Sequence, residues 1–523
     1  MRRRAFLAGA GAAATLSTRF SIAQQPRVLR FVPHANLTLL DPIFTTATVT
    51  VNHGWAVYDA LFGIDNQFQP KPQMADGYTV SDDSRTYLIS LRDGLKFHNG
   101  EPVRAQDCAP SLARWAAREP IGQSLGRFVE EWGVKDDKTV RVTLKRPLDS
   151  FIPLLARGGS SVAFIMPEHI AKTDPFKQIT ETIGSGPFKF VKDAFVPGAS
   201  VVYERNAAYV PRQEPAEWTA GGKVVHFDRV EWKIIPDTAT AAAALQAGEV
   251  DWYEWIQADM VPLFRKSADI RLGTSHRLGI AGILRFNHLQ PPFDNVGIRR
   301  AIMMAVNQAD YLAAITANDP ASSEICRGLF PCSLTGKEPG AAAMPGDLAK
   351  GKAALAAAGY NGEKVVIINP TDLPPIGPMG DVTYDLLQRM GMNVEMAASD
   401  WGTVTKRRSS REPISKGGWS ILHTLTPGIT ISTPIGNHYV RGLGDTGWFG
   451  WFTDEKIEQL TEQWLLAGSD TERAKLVDDI QMQAFQQVPA VPLGQFQLHN
   501  AYRKNVTNVV EAFGALFWNI RLA

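Results

Sequence analysis

The stretch of residues 75–115 constrains the fold more than any other part of this 523-residue chain. Apolar and polar residues alternate over 86–92, which is the pattern of a strand with one buried face. Asp93-Gly94 and Asn99-Gly100 are turn signals on either side of a second short strand. A helix is predicted to begin near Ala105. The stretch therefore predicts a compact unit of short strands, tight turns and one helix.

The residues of this stretch, ADG followed by LRDGLKFHNGEPVRAQD, resemble the signature of one class of bacterial receptors. It is the peptide/nickel class (family 5, dipeptide- and oligopeptide-binding-protein-like) of periplasmic solute-binding proteins, which serve ABC transporters. Further blocks match the class in the same order, at 184–188, 204–206, 227–232, 245–251, 285–287 and 299–302. The resemblance covers nearly the whole mature chain and implies a receptor, without naming its ligand.

The resemblance implies an α/β architecture of two lobes, the type II (Venus-flytrap) periplasmic-binding-protein fold. We expect lobe 1 over 24–288, with a small α+β subdomain at about 65–190. Lobe 2 is expected over 289–493, where strands and helices alternate. The segment 494–523 is expected to return to lobe 1. Two crossings between the lobes form a hinge, and closure of that hinge over a ligand is the expected mechanism.

The N-terminus is predicted to be an export signal over residues 1–23. Arg2-Arg3-Arg4 before an Ala/Gly-rich apolar stretch resembles a twin-arginine signal, and an ordinary secretory signal is the alternative. Ser21-Ile22-Ala23 predicts cleavage near Ala23, and no cysteine follows to carry a lipid anchor. Both alternatives predict a periplasmic protein that is not a lipoprotein. Removing the four arginines of this segment leaves 50 basic and 53 acidic residues, a balance that gives no reason to expect nucleic acid as a partner.

The three cysteines predict at most one disulfide. Cys326 and Cys332 are six residues apart, a spacing that a loop disulfide can close in an oxidising compartment. Cys108 is interpreted as a small core residue. No C-x-x-C pair or neighbouring histidine pair accompanies these residues, so we predict neither a metal site nor a cofactor.

Two polar residues after the opening strand are candidates for ligand binding. His34 and Asn36 follow the alternating segment 27–33, and in α/β proteins ligands lie beyond the carboxyl ends of the strands. The alternative is that both side chains only bond to the local backbone.

Aromatic and basic residues of the last third are the other candidates. The resemblance implies that Trp401 and Trp419 line the ligand, and that Arg408 lies near a basic position that balances a peptide carboxylate. Trp448 and Trp451 extend this aromatic region. The alternatives are that the tryptophans belong to the core and that Arg408 belongs to a solvated basic run.

The sequence departs from the peptide-binding relatives just after Trp419. Those relatives carry an aspartate three residues later, which pairs with the free α-amino group of the peptide. Here Leu422 occupies that position, followed by His423 and Thr424 as further candidates. A leucine leaves an ammonium unpaired, at a cost of several kcal/mol. We therefore expect a modified peptide, an opine-like conjugate, a γ-linked peptide or a non-peptide metabolite.

The predicted function is that of a monomeric receptor, not an enzyme, that captures a peptide-like or other small organic solute. It would deliver this solute to the ABC permease subunits in the inner membrane. A nickel-chelate receptor of the same class is an alternative, which His423, His438, Met390 and Met392 could serve. A periplasmic hydrolase is a further alternative, but the sequence lacks the common hydrolase motifs. A chaperone is the last alternative and predicts an exposed apolar patch.

Overall fold

The structure, a computed structural model, describes residues 26–160, 162–274, 278–512 and 514–523. The predicted export signal and its cleavage site lie outside the described residues. Within the described ranges, no helix is both long and apolar enough to span a bilayer.

The strands of these ranges are β1 (Val28–Val32), β2 (Asp59–Ala60), β3 (Phe62–Ile64), β4 (Pro70–Pro72), β5 (Ala75–Val80), β6 (Thr86–Leu91), β7 (Val129–Asp136), β8 (Thr139–Leu144), β9 (Phe164–Ile165), β10 (Phe188–Phe190), β11 (Ser200–Arg205), β12 (Arg229–Lys233), β13 (Trp252–Tyr253), β14 (Ile270–Thr274), β15 (Ile280–Phe286), β16 (Ser323–Glu324), β17 (Lys364–Pro370), β18 (Asn393–Ser399), β19 (Ile421–Pro427), β20 (Ala490–Phe496), β21 (His499–Arg503), β22 (Val506–Thr507) and β23 (Arg521–Leu522).

The α-helices are α1 (Thr48–Val57), α2 (Ala105–Arg118), α3 (Pro120–Gly126), α4 (Phe151–Leu155), α5 (Glu168–Ala171), α6 (Thr238–Ala247), α7 (Val261–Arg265), α8 (Val296–Ala305), α9 (Gln308–Thr316), α10 (Cys332–Thr335), α11 (Leu348–Ala357), α12 (Gly377–Met390), α13 (Trp401–Arg407), α14 (Glu455–Leu466) and α15 (Asp470–Gln487).

Lobe 1 is built on a seven-stranded sheet in the order β10-β11-β12-β1-β13-β21-β14. Its central strands β12, β1 and β13 are parallel, so their carboxyl ends meet at one edge. Phe517 lies in the C-terminal segment, and its ring centre is 5.1 Å from that of Phe31 on β1. The end of the chain therefore packs on the core of lobe 1, as predicted.

Lobe 2 is built on a six-stranded sheet in the order β16-β20-β15-β19-β17-β18. This sheet corrects both predicted lobe boundaries. β15 pairs with β19 and β20, so the chain has already crossed to lobe 2 before Ile280 and not at 288. β20 continues in the same sheet to Phe496, three residues beyond the expected boundary at 493. Every residue of β15 is buried, and a strand that is buried on both faces has the same sequence pattern in either lobe.

The small subdomain contains the stretch that constrained the fold. Its antiparallel sheet has the order β5-β6-β8-β7 and lies within the expected range of about 65–190. Tyr87, Ile89 and Leu91 on one face of β6 are buried and the helix α2 begins at Ala105, as the sequence predicts. The subdomain also touches lobe 2, where Arg441 donates a hydrogen bond to Ser124 on α3 at 2.7 Å. This contact holds the two lobes together at one end of the cleft.

Cys326 and Cys332 are joined by a disulfide, with their Cα atoms 5.8 Å apart, and Cys108 is a buried free cysteine. The double variant Cys326→Ser/Cys332→Ser is expected to lose about 2 kcal/mol of unfolding free energy, because the bond closes a short loop and restricts the unfolded chain. Denaturant unfolding with and without reductant measures this loss. Reductant should destabilise the parent and leave the double variant unchanged; equal stability of the oxidised parent and the variant would contradict the prediction.

Candidate functional site

A cavity of about 600 Å³, including its mouth, lies between the lobes. Lobe 1 lines it with His34, Thr46, Ala47, Thr48, Val51, Ser160 and Trp255. Lobe 2 lines it with Leu373, Ile376, Trp401, Arg408, Thr424, Leu425, Thr426, Pro427, His438, Tyr439 and Trp448. The cavity has the position and the mixed aromatic and polar lining of a small-molecule site.

The lobe 1 wall is formed where two neighbouring parallel strands end. His34 follows β1 and Trp255 follows β13, and their rings stack with centres 3.7 Å apart. The carboxylate of Glu254 accepts hydrogen bonds from His34 Nδ1 at 2.6 Å and from Asn52 Nδ2 at 2.7 Å. Because Nδ1 donates to a carboxylate, Nε2 of His34 is the ring nitrogen that remains for a ligand.

The lobe 2 wall is organised by α13. Asp400 caps this helix by accepting a hydrogen bond from the backbone N–H of Thr403, so Trp401 opens the first turn. Arg408 follows the last residue of the helix, seven positions after Trp401. Seven residues are about two helical turns, so the two side chains lie on one face. The guanidinium carbon of Arg408 is 5.7 Å from the centre of the Trp401 ring.

Arg408 is a buried cation without an anionic partner. Only 3% of the residue is exposed, and its Nε has no hydrogen-bond partner among the described residues. Its guanidinium instead lies 4.5 Å from the ring centre of Phe449 and 5.9 Å from that of Trp448. Burial lowers the pKa of Arg408 to about 10, so the group stays charged at neutral pH. An uncompensated charge of this kind is suited to a ligand that supplies an anion.

A loop after β19 completes the aromatic wall. Tyr439 and Trp448 pack edge to face with ring centres 5.2 Å apart, and His438 lies 4.9 Å from Trp448. Burial, together with the nearby cations Arg285 and Arg408, lowers the pKa of His438 to about 3. His438 is therefore neutral at physiological pH and adds no positive charge to the cavity.

The cavity lining contains no acidic side chain. None of the eighteen described lining residues is aspartate or glutamate, whereas Arg408 contributes a full positive charge. The carboxylate of Glu254 lies behind His34, which it holds by hydrogen bonds, and does not itself line the cavity. An ammonium group in this cavity therefore finds no carboxylate to pair with.

The structure places two of the predicted tryptophans away from the cavity. Trp419 is fully buried, and its Nε1 donates to the backbone carbonyl of Arg408 at 3.1 Å. Trp451 packs beside Trp419, with ring centres 6.2 Å apart, and lies 4.8 Å from the guanidinium of Arg411. Both rings support the backbone behind Arg408, because they belong to the core of lobe 2.

Two of the three candidates on β19 also lie in the core. Leu422 is 1% exposed in the middle of the sheet, opposite Arg285 on β15. His423 is fully buried, and its Nε2 is 2.7 Å from Thr383 Oγ1 on α12. Burial lowers the pKa of His423 to about 3. The cavity begins only at Thr424, because the earlier residues of β19 are covered by neighbouring strands and by α12.

Asn36 lines an adjoining recess and not the main cavity, and its side chain accepts a hydrogen bond from the backbone N–H of Gly198 at 3.1 Å. Several lining residues were not predicted. They are small, apolar or neutral polar residues such as Thr46, Ala47, Ser160 and Thr426, together with Trp255. The position of Trp255 just after β13 could have indicated a cavity residue, because β13 lies beside β1, the strand that leads to His34. The sequence around Thr46, Ser160 and Thr426 gives no indication that these hydroxyl residues line the cavity.

Trp401 and Trp419 are expected to respond differently to alanine. Trp401→Ala should weaken ligand binding by about 1–2 kcal/mol, since its ring lines the cavity. Because 8% of Trp401 is exposed, its loss of unfolding free energy should be smaller than that of Trp419→Ala. Trp419→Ala should instead lower the free energy of unfolding by about 3–5 kcal/mol, since a fully buried ring is removed. Calorimetric titration and denaturant unfolding of both variants measure these effects. Unimpaired binding by a folded Trp401→Ala protein would contradict the assignment of Trp401.

The described ranges contain no preformed metal site that would favour the metal-chelate alternative. No group of three or more His, Cys, Asp or Glu side chains there is arranged to hold a metal ion. Of the residues offered for it, His438 lines the cavity, while His423, Met390 and Met392 are buried in lobe 2.

Comparison with known proteins agrees with this architecture. The sequence family described as bacterial extracellular solute-binding proteins, family 5 middle, matches residues 69–427. The chain belongs to this family and is a solute-binding receptor of the kind that serves ABC importers.

One relative, the probable peptide ABC transporter periplasmic-binding protein y4tO of Sinorhizobium fredii, is 39% identical, covering 100% of this chain and 99% of the relative. The glutathione-binding protein GsiB of Escherichia coli K12 is 26% identical over 90% of each chain. In structure, the binding protein AgaA of A. tumefaciens R10, solved with agropinic acid, has a TM-score of 0.79 at 22% identity, covering 95% of this chain and 99% of that one. This last likeness shows the two-lobed fold alone.

Proposed function

We propose that this receptor binds a small organic anion that has no free α-ammonium group. The observation that carries the proposal is the charge of the cavity, whose described lining contains the unpaired Arg408 and no acidic side chain. A carboxylate gains charge-assisted hydrogen bonds from a guanidinium. A free ammonium beside this cation loses its hydration and meets a like charge, which costs several kcal/mol.

The remaining lining favours a ligand with both flat and hydroxyl- or amide-bearing parts. Trp255, Trp401 and Trp448 offer large rigid surfaces, and Thr424, Thr426 and Tyr439 offer hydroxyl groups. N-blocked peptides and opine-like conjugates share these features, and a γ-linked peptide meets the proposal only where its α-ammonium is blocked. The relatives are named for peptide, glutathione and agropinic acid. Glutathione and unmodified peptides carry a free α-ammonium, so the proposal separates the ligand of this receptor from those two.

The proposal extends to export and assembly. Residues 1–23 direct export by the twin-arginine route and are removed near Ala23, which leaves a protein free in the periplasm. The mature receptor acts as a monomer. N-terminal sequencing of the periplasmic protein tests the cleavage site near Ala23. Light scattering of the purified protein tests the monomeric state.

A thermal-shift screen of residues 24–523 tests the ligand class. The panel contains free di- and tripeptides, N-blocked peptides, γ-linked peptides, opines and nickel chelates. Binding to the folded state raises the melting temperature. The proposal expects shifts only with anions that lack a free α-ammonium. Strong shifts with ordinary free-amine peptides, or with nickel chelates alone, would contradict it.

A further inference from the structure

The start of α1 is a second feature of the cavity that attracts anions. Thr46, Ala47 and Thr48 line the cavity at the point where this ten-residue helix begins. Ala47 is the N-cap residue and cannot accept a hydrogen bond through its side chain, and the first turn carries no acidic residue. The helix therefore presents the positive end of its dipole to the cavity without any compensation from its own side chains.

Two backbone amides at the start of the helix have no acceptor in the described part of the chain, and Thr48, which carries one of them, lines the cavity. The N–H groups of Thr50 and Val51 donate to the carbonyl of Ala47, both at 3.0 Å. The N–H groups of Thr48 and Val49 have no acceptor among the described residues. Free amides at a helix N-terminus form a common binding site for carboxylate, sulfate and phosphate groups.

A second, independent observation points to an anion in the same cavity. Arg408 lines the opposite wall, only 3% of the residue is exposed, and its Nε has no hydrogen-bond partner among the described residues. A further cation on lobe 1, Arg118, donates to the carbonyl of Phe44 at 2.9 Å, just before α1. The positive charge of Arg118 also contributes to the lowered pKa of Arg408. The lobe 2 wall therefore carries the full positive charge of Arg408, and the lobe 1 wall carries the partial positive charge of the helix start.

We propose that the start of α1 is a second anion subsite and that the ligand carries two acidic groups, one held by Arg408 and one by the amides of Thr48 and Val49. The inference rests on the proposed function and narrows its ligand class to dianions. The two groups attach one end of the ligand to each lobe. Such a ligand favours the closed state more than a monoanion does, because only the closed state satisfies both ends.

A ligand series tests this inference on the unaltered mature protein. The probes are the α,ω-dicarboxylates from malonate to pimelate, each paired with the monocarboxylate of the same carbon number, and the readout is the dissociation constant. We expect one dicarboxylate to bind at least tenfold more tightly than its monocarboxylate. The inference is overturned if every dicarboxylate binds no better than its partner.

A variant tests the place of the second subsite. Ala47→Asp puts a carboxylate at the N-cap, where it satisfies the helix and competes with the ligand. We expect this variant to weaken binding of the best dicarboxylate at least tenfold. Binding of the monocarboxylate with the same carbon number should weaken less than threefold. Ala207→Asp, an exposed substitution in lobe 1, controls for net charge. Since aspartate is a favoured N-cap residue, the empty variant should melt no lower than the parent.

Two outcomes would separate this inference from the proposed function. Equal losses for the mono- and dicarboxylate in Ala47→Asp would mean that a single acidic group touches both lobes, which overturns the two-group inference alone. Tight binding of free-amine peptides in the thermal-shift screen would overturn the proposed function itself.

Discussion

Arg408→Gln is expected to weaken binding of the anionic ligand at least about 30-fold and to make the empty receptor more stable. Removing one partner of a buried, hydrogen-bonded charge pair typically costs about 2–5 kcal/mol of binding free energy. In the empty protein the same guanidinium is buried without an anion, and its lowered pKa of about 10 reflects the penalty of that burial. Glutamine removes the charge, so the free energy of unfolding should rise.

Calorimetric titration and thermal unfolding of the same variant measure the two effects. Lys406→Gln is the matched control, because Lys406 is an exposed cation only two residues away. It should bind ligand as the parent does. Unchanged affinity in Arg408→Gln would contradict the assignment of Arg408. A lowered melting temperature with retained binding would mean that this cation supports the fold and not the ligand.

Thr424→Asp is expected to weaken binding of the same ligand by about 2 kcal/mol, which is roughly a 30-fold rise in the dissociation constant. Thr424 lines the cavity and is 5% exposed, so an aspartate there adds a negative charge within the cavity. At an effective dielectric constant of about 20, a like charge ~7 Å from the ligand contributes about 2 kcal/mol of repulsion. The new carboxylate also competes for Arg408.

Thr424→Asn is the control for shape, because asparagine matches aspartate in size without its charge. Dissociation constants of the two variants separate repulsion from lost packing. Asparagine should lose much less affinity than aspartate. Equal losses would contradict the electrostatic account and assign the effect to the missing threonine hydroxyl. A further expected result is that Thr424→Asp gains measurable affinity for free-amine peptides.

The sequence predicted the parts of the fold that depend on local pattern. The alternation over β6, the start of α2 at Ala105 and the spacing of Cys326 and Cys332 are all local signals, and the structure has each feature. The lobe boundaries were misplaced because β15 is buried on both faces, including the charged Arg285. The sequence of such a strand predicts that it is buried, but it does not predict which of the two sheets the strand joins.

The candidate site was predicted only where the chain leaves a strand or helix at the cleft. His34 was found because it follows the first parallel strand, and Trp401 and Arg408 because a resemblance aligned them. Trp419 and His423 were misplaced, since a buried side chain on β19 faces either the cleft or the core. That choice depends on how far the neighbouring strands and α12 extend, which is a property of tertiary packing.

The most direct test of the central claim is a titration with four forms of one peptide scaffold, chosen from the strongest N-blocked binder in the screen. The four forms combine a free or acetylated N-terminus with a free or amidated C-terminus, and dissociation constants are measured for each. The account predicts that acetylation strengthens binding at least about tenfold and that amidation weakens it at least about tenfold, since the described lining of the cavity contains the unpaired cation Arg408 and no acidic side chain. Tighter binding of the free-amine form, or binding unaffected by amidation, would contradict the account.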